Sequence, residues 1–374
     1  MQAENHPFNV DVLHVIGAFA AGGAERFVVD LLRTLNQQGL SVGLLALSAK
    51  EDAAGRLMRQ SLKHDGIPFQ WGPTERVGAR SLAWYLKRLI EIRPQIVHLH
   101  TPNTELAHFL ASKVYRKKHA LFRTLHNTHI PDKAGYWKAI HKNSATISIA
   151  CSEPVRGRFA PVLKGKIVTI ENGINFDWPV QTPTIQKQHQ EKLRLSHDHH
   201  HFLNIGRQGG ESPESAQKAH DVLIKAWKHG GLGQHGCLLH LLGDGNLRNA
   251  LEQLATGDNS ILFHGTRSDV HDWLLAADCF VMPSRHEGLP IAGIEAAGSG
   301  LPCIFSDIPP LHALSAPAVL WTAVDDYRQL AAKLVEMAEN KAVVPQDATE
   351  KLRRNFGIEK TAALYHKCYI PDRS

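Results

Sequence analysis

The chain has 374 residues, with 42 lysines and arginines against 36 aspartates and glutamates, and 43% of its residues are hydrophobic. This length predicts two or three domains, and the composition is that of a globular protein with enough apolar residues for sizeable cores. No apolar run of about 18 residues occurs, so a transmembrane helix is excluded, and residues 1–9 are too polar to resemble a secretory signal.

The cysteines and the charges indicate the kind of environment to expect. Five cysteines are scattered without a C-x-x-C pair, which fits a reducing cytoplasm and argues against disulfides and structural zinc. The net charge of +6 is mild, but basic residues concentrate at 76–93, 113–123 and 133–142, with aromatic residues among them. These stretches predict either contact with a phosphate-bearing surface, lipid or nucleic acid, or ordinary solvated helix faces. We therefore expect a cytoplasmic protein, at most peripheral to the inner face of a membrane.

The predicted elements of the first half alternate between strand and helix. Short runs of valine, leucine and isoleucine predict strands, and apolar residues with helical periodicity predict helices, as over 24–36. In chain order we predict strand 10–16, helix 24–36, strand 41–47, helix 80–92, strand 96–100, helix 104–115, and strands 120–125, 145–150 and 166–170. Such alternation predicts a parallel sheet covered by helices.

The second half repeats the pattern after a polar interruption at 181–201. That segment has few apolar residues and ends in a histidine-rich run, 197–201, which we interpret as an exposed linker rather than a metal site. Beyond it we predict strand 202–205, helix 218–228, strand 237–242, helix 247–255, strand 261–264, helix 270–277, strand 279–282, helix 290–299, strand 302–305 and a last helix 358–369.

The predicted fold class is α/β, with two Rossmann-like doubly wound domains facing each other across a cleft. The expected boundaries are a first domain at 1–180, a linker at 181–201 and a second domain at 202–350. Residues 351–374 are expected to form a C-terminal helix that packs back on the first domain.

The most informative segment runs from Ser284 to Glu295. A strand is predicted to end at residue 282, a loop presents Glu287, and Pro290 stands at the first helical position. Backbone N–H groups at that helix start suit a phosphate, and Glu295 lies about a turn and a half further along. The two carboxylates could bind different hydroxyl groups of one ligand. The P-loop and D-x-D patterns are absent, so no metal held by paired aspartates is predicted.

This segment resembles the E-G-L-P…E signature of retaining glycosyltransferases of family 4, which have the GT-B fold. Other motifs agree with that family in order, between residues 13 and 369. They are Gly22-Gly23-Ala24-Glu25-Arg26, His98-Leu99-His100, Thr124-Leu125-His126-Asn127, Glu171-Asn172-Gly173-Ile174-Asn175, Gly206-Arg207, Lys218-Ala219-His220-Asp221, Leu242-Gly243-Asp244-Gly245 and His264-Gly265-Thr266. Two positions depart from the family pattern, with Glu171 in place of proline and Ala219 in place of glycine.

The resemblance implies roles for these residues. It assigns Arg207 and Lys218 to the donor diphosphate, where positive charge stabilises the leaving group. It implies that Glu287 binds the donor sugar or its β-phosphate, that Glu295 accepts from the ribose hydroxyls, and that His126 contacts the transferred sugar. The expected catalytic residues are Glu287, His126, Arg207 and Lys218. The expected donor-binding residues are Gly22, Gly23, Arg207, Lys218, Gly243, Gly265, Thr266, Glu287, Gly288, Leu289, Pro290, Ile291 and Glu295. The expected acceptor-binding residues are Glu25, Arg26, His100 and Asn127.

The activity implied by the resemblance is metal-independent, retaining transfer of a hexose or N-acetylhexosamine from a nucleotide sugar to a hydroxyl group, giving an α-linkage. UDP is favoured over GDP because UDP-sugars are the family's commonest donors, and neither a cofactor nor a metal is expected. The Gly22–Arg26 loop and the basic first half favour a lipid-linked or cell-surface glycan acceptor, as in lipopolysaccharide, O-antigen or capsule assembly.

Two other functions stay open on the sequence. The same chemistry could act on a small soluble acceptor, or the chain could be a catalytically inactive scaffold of the same fold. The scaffold would be indicated by loss of Glu287, Arg207 or Lys218, and all three are present. A nucleic-acid partner has only the basic stretches in its favour, because no recognition motif accompanies them.

Overall fold

Two parallel sheets organise the chain, and each belongs to its own unit. The computed structural model describes residues 9–20, 22–129, 145–340 and 342–370. The first unit comprises Met1–Asn175 and Gly357–Ser374, and the second comprises Phe176–Phe356. The last helix of the chain therefore belongs with the first unit.

Strands and helices alternate through most of both units. Those before residue 176 are β1 (Val12–Ile16), α1 (Gly23–Gln37), β2 (Val42–Ala46), α2 (Ala53–His64), β3 (Phe69–Trp71), α3 (Ala79–Ile92), β4 (Ile96–Leu99), α4 (Pro102–Ala111), β5 (Ala120–Leu125), β6 (Ile147–Ala150), α5 (Glu153–Phe159) and β7 (Lys166–Thr169). The later ones are α6 (Pro183–Leu193), β8 (His200–Ile205), α7 (His220–His229), β9 (Cys237–Leu242), α8 (Arg248–Ala255), β10 (Ile261–Gly265), α9 (Val270–Ala276), β11 (Cys279–Met282), α10 (Ile291–Gly298), β12 (Cys303–Ser306), β13 (Val319–Thr322), α11 (Tyr327–Glu339), α12 (Gln346–Asn355) and α13 (Ile358–Tyr369).

Both sheets have the strand order of a Rossmann fold. The first sheet runs β3-β2-β1-β4-β5-β6-β7 and the second runs β10-β9-β8-β11-β12-β13, with every neighbouring pair parallel. In each sheet the direction in which successive strands are added reverses at a switch point. This point lies between β1 and β4 in the first sheet and between β8 and β11 in the second. Ligands of such sheets bind beyond the carboxyl ends of the strands at that point. The prediction of two Rossmann-like α/β domains is confirmed.

Helix α1 buries the apolar face that its sequence predicts. Its predicted apolar face is buried completely, since Phe27, Val28, Leu31, Leu32 and Leu35 have no exposed surface. Side chains three and four positions apart share one face of a helix, so one apolar stripe buries a whole side of α1. Helix α13 packs on the same element, where the Tyr365 ring lies 6.0 Å from that of Phe27.

The predicted linker 181–201 is wrong, because its centre is a helix of the second unit. Helix α6 begins after Thr182, whose hydroxyl accepts from the backbone N–H of Ile185 at 3.3 Å. Its only buried residue is Gln190, and it attaches to α9 and the turn after it through polar side chains. Gln186 donates to Asp278 at 2.7 Å, and Gln190 donates to the Ala276 carbonyl at 3.0 Å. Apolar periodicity cannot reveal a helix that packs in this way.

The histidine-rich run is likewise only partly exposed. His201 lies in β8 with no exposed surface, so its interpretation as part of an exposed linker is wrong. It bonds His240 and the Ser196 carbonyl at 3.0 and 2.9 Å. His197 and His199 are exposed, as expected.

Several short or polar elements lie outside the predictions: α2, β3, α5, β13, α11 and α12. Strands β3 and β13 lie at sheet edges, have 3 and 4 residues and are mostly half-buried, so neither forms the continuous buried apolar run from which the other strands were predicted. Helix α2 buries a single large apolar side chain, Leu62, and is signalled mainly by its Asp52 cap. Within the described residues, no helix combines the length and the apolar character that spanning a bilayer requires.

Candidate functional site

Glu287 is the centre of the candidate site in the second unit. It lies in the loop between β11 and α10, and only 4% of its surface is exposed. One carboxylate oxygen accepts from Lys218 Nζ at 2.7 Å, and the other accepts from Gln217 Nε2 at 3.0 Å. Lys218 and Gln217 lie in the segment between β8 and α7, and Glu287 lies in the loop after β11. The loops that follow the two strands of the switch point therefore meet at Glu287. The structure thus brings together two of the predicted catalytic residues, Glu287 and Lys218.

Arg285 holds these two loops together. Its guanidinium donates to the carbonyls of Pro213 and Ala216 at 3.2 and 2.7 Å, and to both oxygens of Asp221 at 3.1 Å. Its backbone N–H donates to the Gln217 carbonyl at 2.8 Å. The planar, multiply donating guanidinium is suited to such a clamp. Arg285 is absent from the predicted site residues, although it stands next but one to Glu287 in the motif.

Glu295 is buried on α10, with 3% of its surface exposed. Its Oε1 lies 3.5 Å from Nε2 of His271 on α9. The His271 ring in turn stacks on Trp178 with 3.6 Å between ring centres. Neither His271 nor Trp178 is among the predicted residues, and no motif distinguishes them. The arrangement orients a carboxylate that could accept from ligand hydroxyls.

Glycines bring the loops after β8, β9 and β10 into close contact. Gly243 has φ 127° and donates to the Gly265 carbonyl at 2.8 Å. A Cβ on Gly243 would lie 2.0 Å from the Gly206 carbonyl oxygen, so only glycine fits there. Thr266, which follows Gly265, is exposed. The predicted positions Gly243, Gly265 and Thr266 are therefore clustered at one end of the sheet.

Arg207 and Lys218 both lie beside Gly206, at the end of β8. Arg207 follows Gly206, and Lys218 Cγ lies 3.1 Å from where a Gly206 Cβ would be. Arg207 is half-buried and forms no hydrogen bond or ion pair with any described residue. A partly desolvated guanidinium of this kind can bind an anion without breaking an existing ion pair.

The start of α10 differs slightly from the prediction. Gly288, Leu289, Pro290 and Ile291 are all buried. Pro290 is extended, with ψ 128°, and caps the helix, which begins at Ile291. The prediction of Pro290 as the first helical residue is therefore wrong by one position. The N–H groups of the first turn still follow directly on the Glu287 loop.

The glycine loop of the first unit precedes α1. Gly22 caps the helix and, like Gly23, is exposed. A Cβ on Gly22 would lie 2.2 Å from Glu25 Oε2, so the Glu25 carboxylate folds back over the cap. Negative charge is favourable at a helix N-terminus. Arg26 follows on the first turn, where its N–H donates to the Gly22 carbonyl at 3.1 Å.

His100 and His126 lie after neighbouring strands, β4 and β5. Their rings are joined by a contact of 3.3 Å between Nδ1 of His100 and Nε2 of His126. Burial lowers the pKa of His126 to about 4 and holds that of His100 well below its usual value. Both rings are therefore neutral at pH 7. The next residue, Asn127, accepts from the backbone N–H of His129 at 3.0 Å.

Among the described residues, His14, His98 and His100 each place a nitrogen within 4.8 Å of the others. The rings of His98 and His100 are parallel within 6° and offset by 4.4 Å between centres. Lone pairs lie in the plane of each ring, so those of stacked rings do not converge on one point. His14 and His98 also use both ring nitrogens in hydrogen bonds. The group is a hydrogen-bonded cluster rather than a set of metal ligands.

The basic stretches differ from one another. Arg116, Lys117 and Lys118 are exposed, as a surface contact requires. Arg123, in the same stretch, is buried and paired with Glu105 at 3.2 Å. Its charge is therefore balanced inside the protein and does not add to the exposed basic surface. The stretch 133–142 lies outside the described residues.

The chain matches two glycosyltransferase families, and the two matched ranges together cover most of its length. Residues 21–178 match "Glycosyltransferase Family 4", and residues 201–340 match "Glycosyl transferases group 1". The chain is 26% identical over 317 residues to the putative glycosyltransferase EpsF of Bacillus subtilis, covering 79% of each. It is 26% identical over 292 residues to the lipopolysaccharide core biosynthesis glycosyltransferase LpsD of Rhizobium meliloti, covering 76% of this chain and 75% of that protein.

Solved structures show the same fold at lower sequence identity. HepE of Anabaena, crystallised with UDP and glucose, superposes with a TM-score of 0.79 at 17% identity. The superposition covers 96% of this chain and 99% of that one. This similarity supports the fold of the chain rather than its substrate.

Proposed function

Because the chain belongs to the group 1 glycosyltransferases of family 4, we propose that it transfers a hexose or N-acetylhexosamine from a UDP-sugar to a glycan, with retention and without a metal ion. The observation that carries the proposal is the cation pair at the end of β8. Arg207 has no described partner and can bind an anion, and Lys218, which packs beside the adjacent Gly206, contacts Glu287. Two positive charges can stabilise a departing diphosphate, which is the task a metal performs in other transferases.

The remaining second-unit residues suit the rest of a nucleotide sugar. Glu295 would accept from the ribose hydroxyls, and the first turn of α10 would donate N–H groups to a phosphate. The close-packed loops at Gly243 and Gly265 would let the backbone approach the nucleotide. UDP is favoured as the donor nucleotide by the family's commonest donors and by the UDP complex of HepE.

Glu287 would bind the donor rather than attack it. Both of its oxygens already accept hydrogen bonds, from Lys218 and Gln217, which lowers their nucleophilicity. In the reaction we propose, the acceptor oxygen bonds the anomeric carbon as the bond from that carbon to the diphosphate breaks. The acceptor's proton passes to the departing phosphate oxygen on the same face, so the α-configuration is kept. In the first unit, His126 would contact the transferred sugar.

The surface around α4 supports a lipid-linked acceptor. Leu106 and Leu110 on α4 and Val114 in the turn after it expose 37%, 43% and 63% of their surfaces, so three apolar side chains face solvent close together in the sequence. The exposed cations Lys117 and Lys118 follow directly. Apolar residues beside clustered cations favour binding to an anionic membrane surface. We propose that this face brings the enzyme to lipid-linked glycans, as in lipopolysaccharide or capsule assembly.

A transfer assay tests the whole proposal. Labelled sugars are supplied as UDP-, GDP- or ADP-conjugates in EDTA, with acceptor glycans either on lipid in anionic vesicles or in solution. Label should enter the lipid fraction from a UDP-sugar only, and the new bond should be α by NMR. The double variant Lys117→Glu/Lys118→Glu should lose most of the lipid-fraction label, whereas the same reversal at exposed Lys351 and Arg354 should not.

Other outcomes of that assay favour the alternatives. Transfer to the soluble acceptor alone would favour a small-molecule glycosyltransferase. No transfer from any donor would favour a catalytically inactive scaffold. A β-linked product, or a strict need for a divalent metal, would contradict the proposed mechanism.

A further inference from the structure

A chain of seven polar side chains connects α13 to His126 inside the first unit. We call it the His126 relay. In order, its members are Tyr365, Thr124, His98, Tyr369, His14, His100 and His126. The six contacts between successive members measure 3.0, 2.8, 2.6, 3.2, 2.9 and 3.3 Å. His98, His14 and His100 thus have both ring nitrogens occupied by their neighbours in the relay, and each of the hydroxyls of Thr124 and Tyr369 contacts two neighbours.

Every member of the relay is electrically neutral at pH 7. Burial lowers the pKa of His14 to about 3 and that of His126 to about 4, and it holds those of His98 and His100 well below their usual values. Burial also raises the pKa values of the relay tyrosines. Each neutral imidazole and each hydroxyl therefore has one proton that it can donate in a hydrogen bond.

Counting these protons fixes the direction of the hydrogen bonds. Seven members bring seven protons, and six contacts need one proton each. A contact with two protons is repulsive, and one with none sets lone pair against lone pair. A hydroxyl could also accept from both neighbours and direct its proton out of the relay, but Thr124 and Tyr369 are buried and have no partner outside the relay among the described residues. All members therefore donate in the same direction along the relay. The seventh proton points out of the relay at one of its two ends.

The two ends of the relay differ in their surroundings. Tyr365 has no exposed surface, and within the part of the chain that the structure describes its hydroxyl bonds only Thr124. A proton directed outwards there would be buried without an acceptor, which costs the full desolvation of the group. His126 is half-buried, the only member with access to a ligand or to solvent. The protons therefore run from Tyr365 towards His126.

We infer that the relay fixes His126 as a hydrogen-bond donor, which presents Nδ1–H to an oxygen of the bound ligand. This deepens the proposed function, on which the identity of that oxygen rests: it would be a hydroxyl or ring oxygen of the transferred sugar. His126 then orients the sugar and cannot remove its protons. His14, His98, His100 and the two tyrosines are positioning residues, because they act on the ligand only through His126.

A second histidine series in the other unit supplies an internal reference. His201, His240 and His264 are joined by contacts of 3.0 and 2.9 Å, and Nε2 of His201 lies 2.9 Å from the Ser196 carbonyl. A carbonyl can only accept, so all three histidines must carry the proton on Nε2. The relay predicts the opposite tautomer, Nδ1–H, for His14, His98, His100 and His126.

The test is the tautomer of each ring, read from long-range proton–nitrogen correlations of the full chain labelled with ¹⁵N-histidine at pH 7.5. In the wild type, Nδ1–H should exceed Nε2–H at His126 by about tenfold or more. The Tyr369→Phe variant breaks the relay, and the two forms of His126 should approach parity. Thr124→Val ends the relay at His98 Nε2, which lacks a partner whether or not it carries the proton, and it should have the same effect if Tyr369→Phe folds poorly.

Tyr85→Phe is the matched control. It removes the hydroxyl of another buried tyrosine, which bonds His108 at 2.8 Å outside the relay, and it should leave His126 unchanged. Nε2–H at His126 in the wild type would overturn the inference, as would an unchanged tautomer in both relay variants. The spectra need no sugar nucleotide, so they test the relay even if the proposed transfer activity is not found. Conversely, finding the other tautomer at His126 would not contradict the proposed transfer activity.

Discussion

Replacing Lys218 with methionine should reduce sugar transfer by on the order of 10²–10³-fold, the loss typical of removing one preorganised charge from a transition-state site. The same change should destabilise the fold, because Glu287 keeps a buried carboxylate without its 2.7 Å partner. Breaking a buried pair costs about 3 kcal/mol, and less here because Lys218 is partly exposed. The measurements are the initial rate of transfer and the urea midpoint of unfolding.

Two further variants separate stability from catalysis. Lys218→Met combined with Glu287→Gln removes both charges and should regain most of the lost stability without regaining activity. Lys225→Met is the matched control, since Lys225 is an exposed lysine on α7 whose partner Asp221 keeps its bonds to Arg285. It should change the rate little and the stability by less than about 1 kcal/mol. Full activity in Lys218→Met would remove Lys218 from the mechanism.

Stability should fall steeply as the pH drops below about 6.5. Burial lowers the pKa of His14, His108, His220 and His240 to about 3, from 6.5 in the unfolded chain. Between these values the unfolded state binds more protons than the folded state, so the free energy of unfolding decreases with falling pH. His14 and His108 lie in the first unit and His220 and His240 in the second, so each unit has a two-proton slope on the order of 3 kcal/mol per pH unit. The whole stability of a domain is about 5–15 kcal/mol, so a large part of it should be lost between pH 6.5 and pH 4.

Urea unfolding at pH 8, 7, 6 and 5.5 measures this slope. His240→Gln should lower it by about one proton, or 1.4 kcal/mol per pH unit. His199→Gln replaces a histidine that is exposed to solvent and should leave the slope unchanged. Constant stability between pH 7.5 and 5 would show that the buried histidines are not held neutral.

The fold class and most of the central strands and helices could be predicted from the sequence. Apolar periodicity located α1, and the family resemblance named Glu287 and Lys218 from two separate motifs, whose side chains lie 2.7 Å apart. Local patterns could be interpreted because each lies on one element, or at the junction of a strand and a helix.

Features built from polar contacts between distant segments could not be predicted. Helix α6 binds α9 through Gln186 and Gln190, which give no apolar signal. Arg285 looked like one basic residue in a loop, whereas its clamp depends on carbonyls that only the fold brings near. The His126 relay joins β1, β4, β5 and α13, and no spacing within the sequence indicates such a set.

Calorimetric titration of UDP, GDP, ADP and CMP in EDTA tests the central claim most directly, since it asks whether the second unit holds a nucleotide without a metal. UDP should bind to the wild type, and Arg207→Ala and Glu295→Ala should each weaken its binding by about tenfold or more, since each loses about 1.4 kcal/mol of interaction. Binding only in the presence of a divalent metal, or equal binding by the wild type and both variants, would contradict the account.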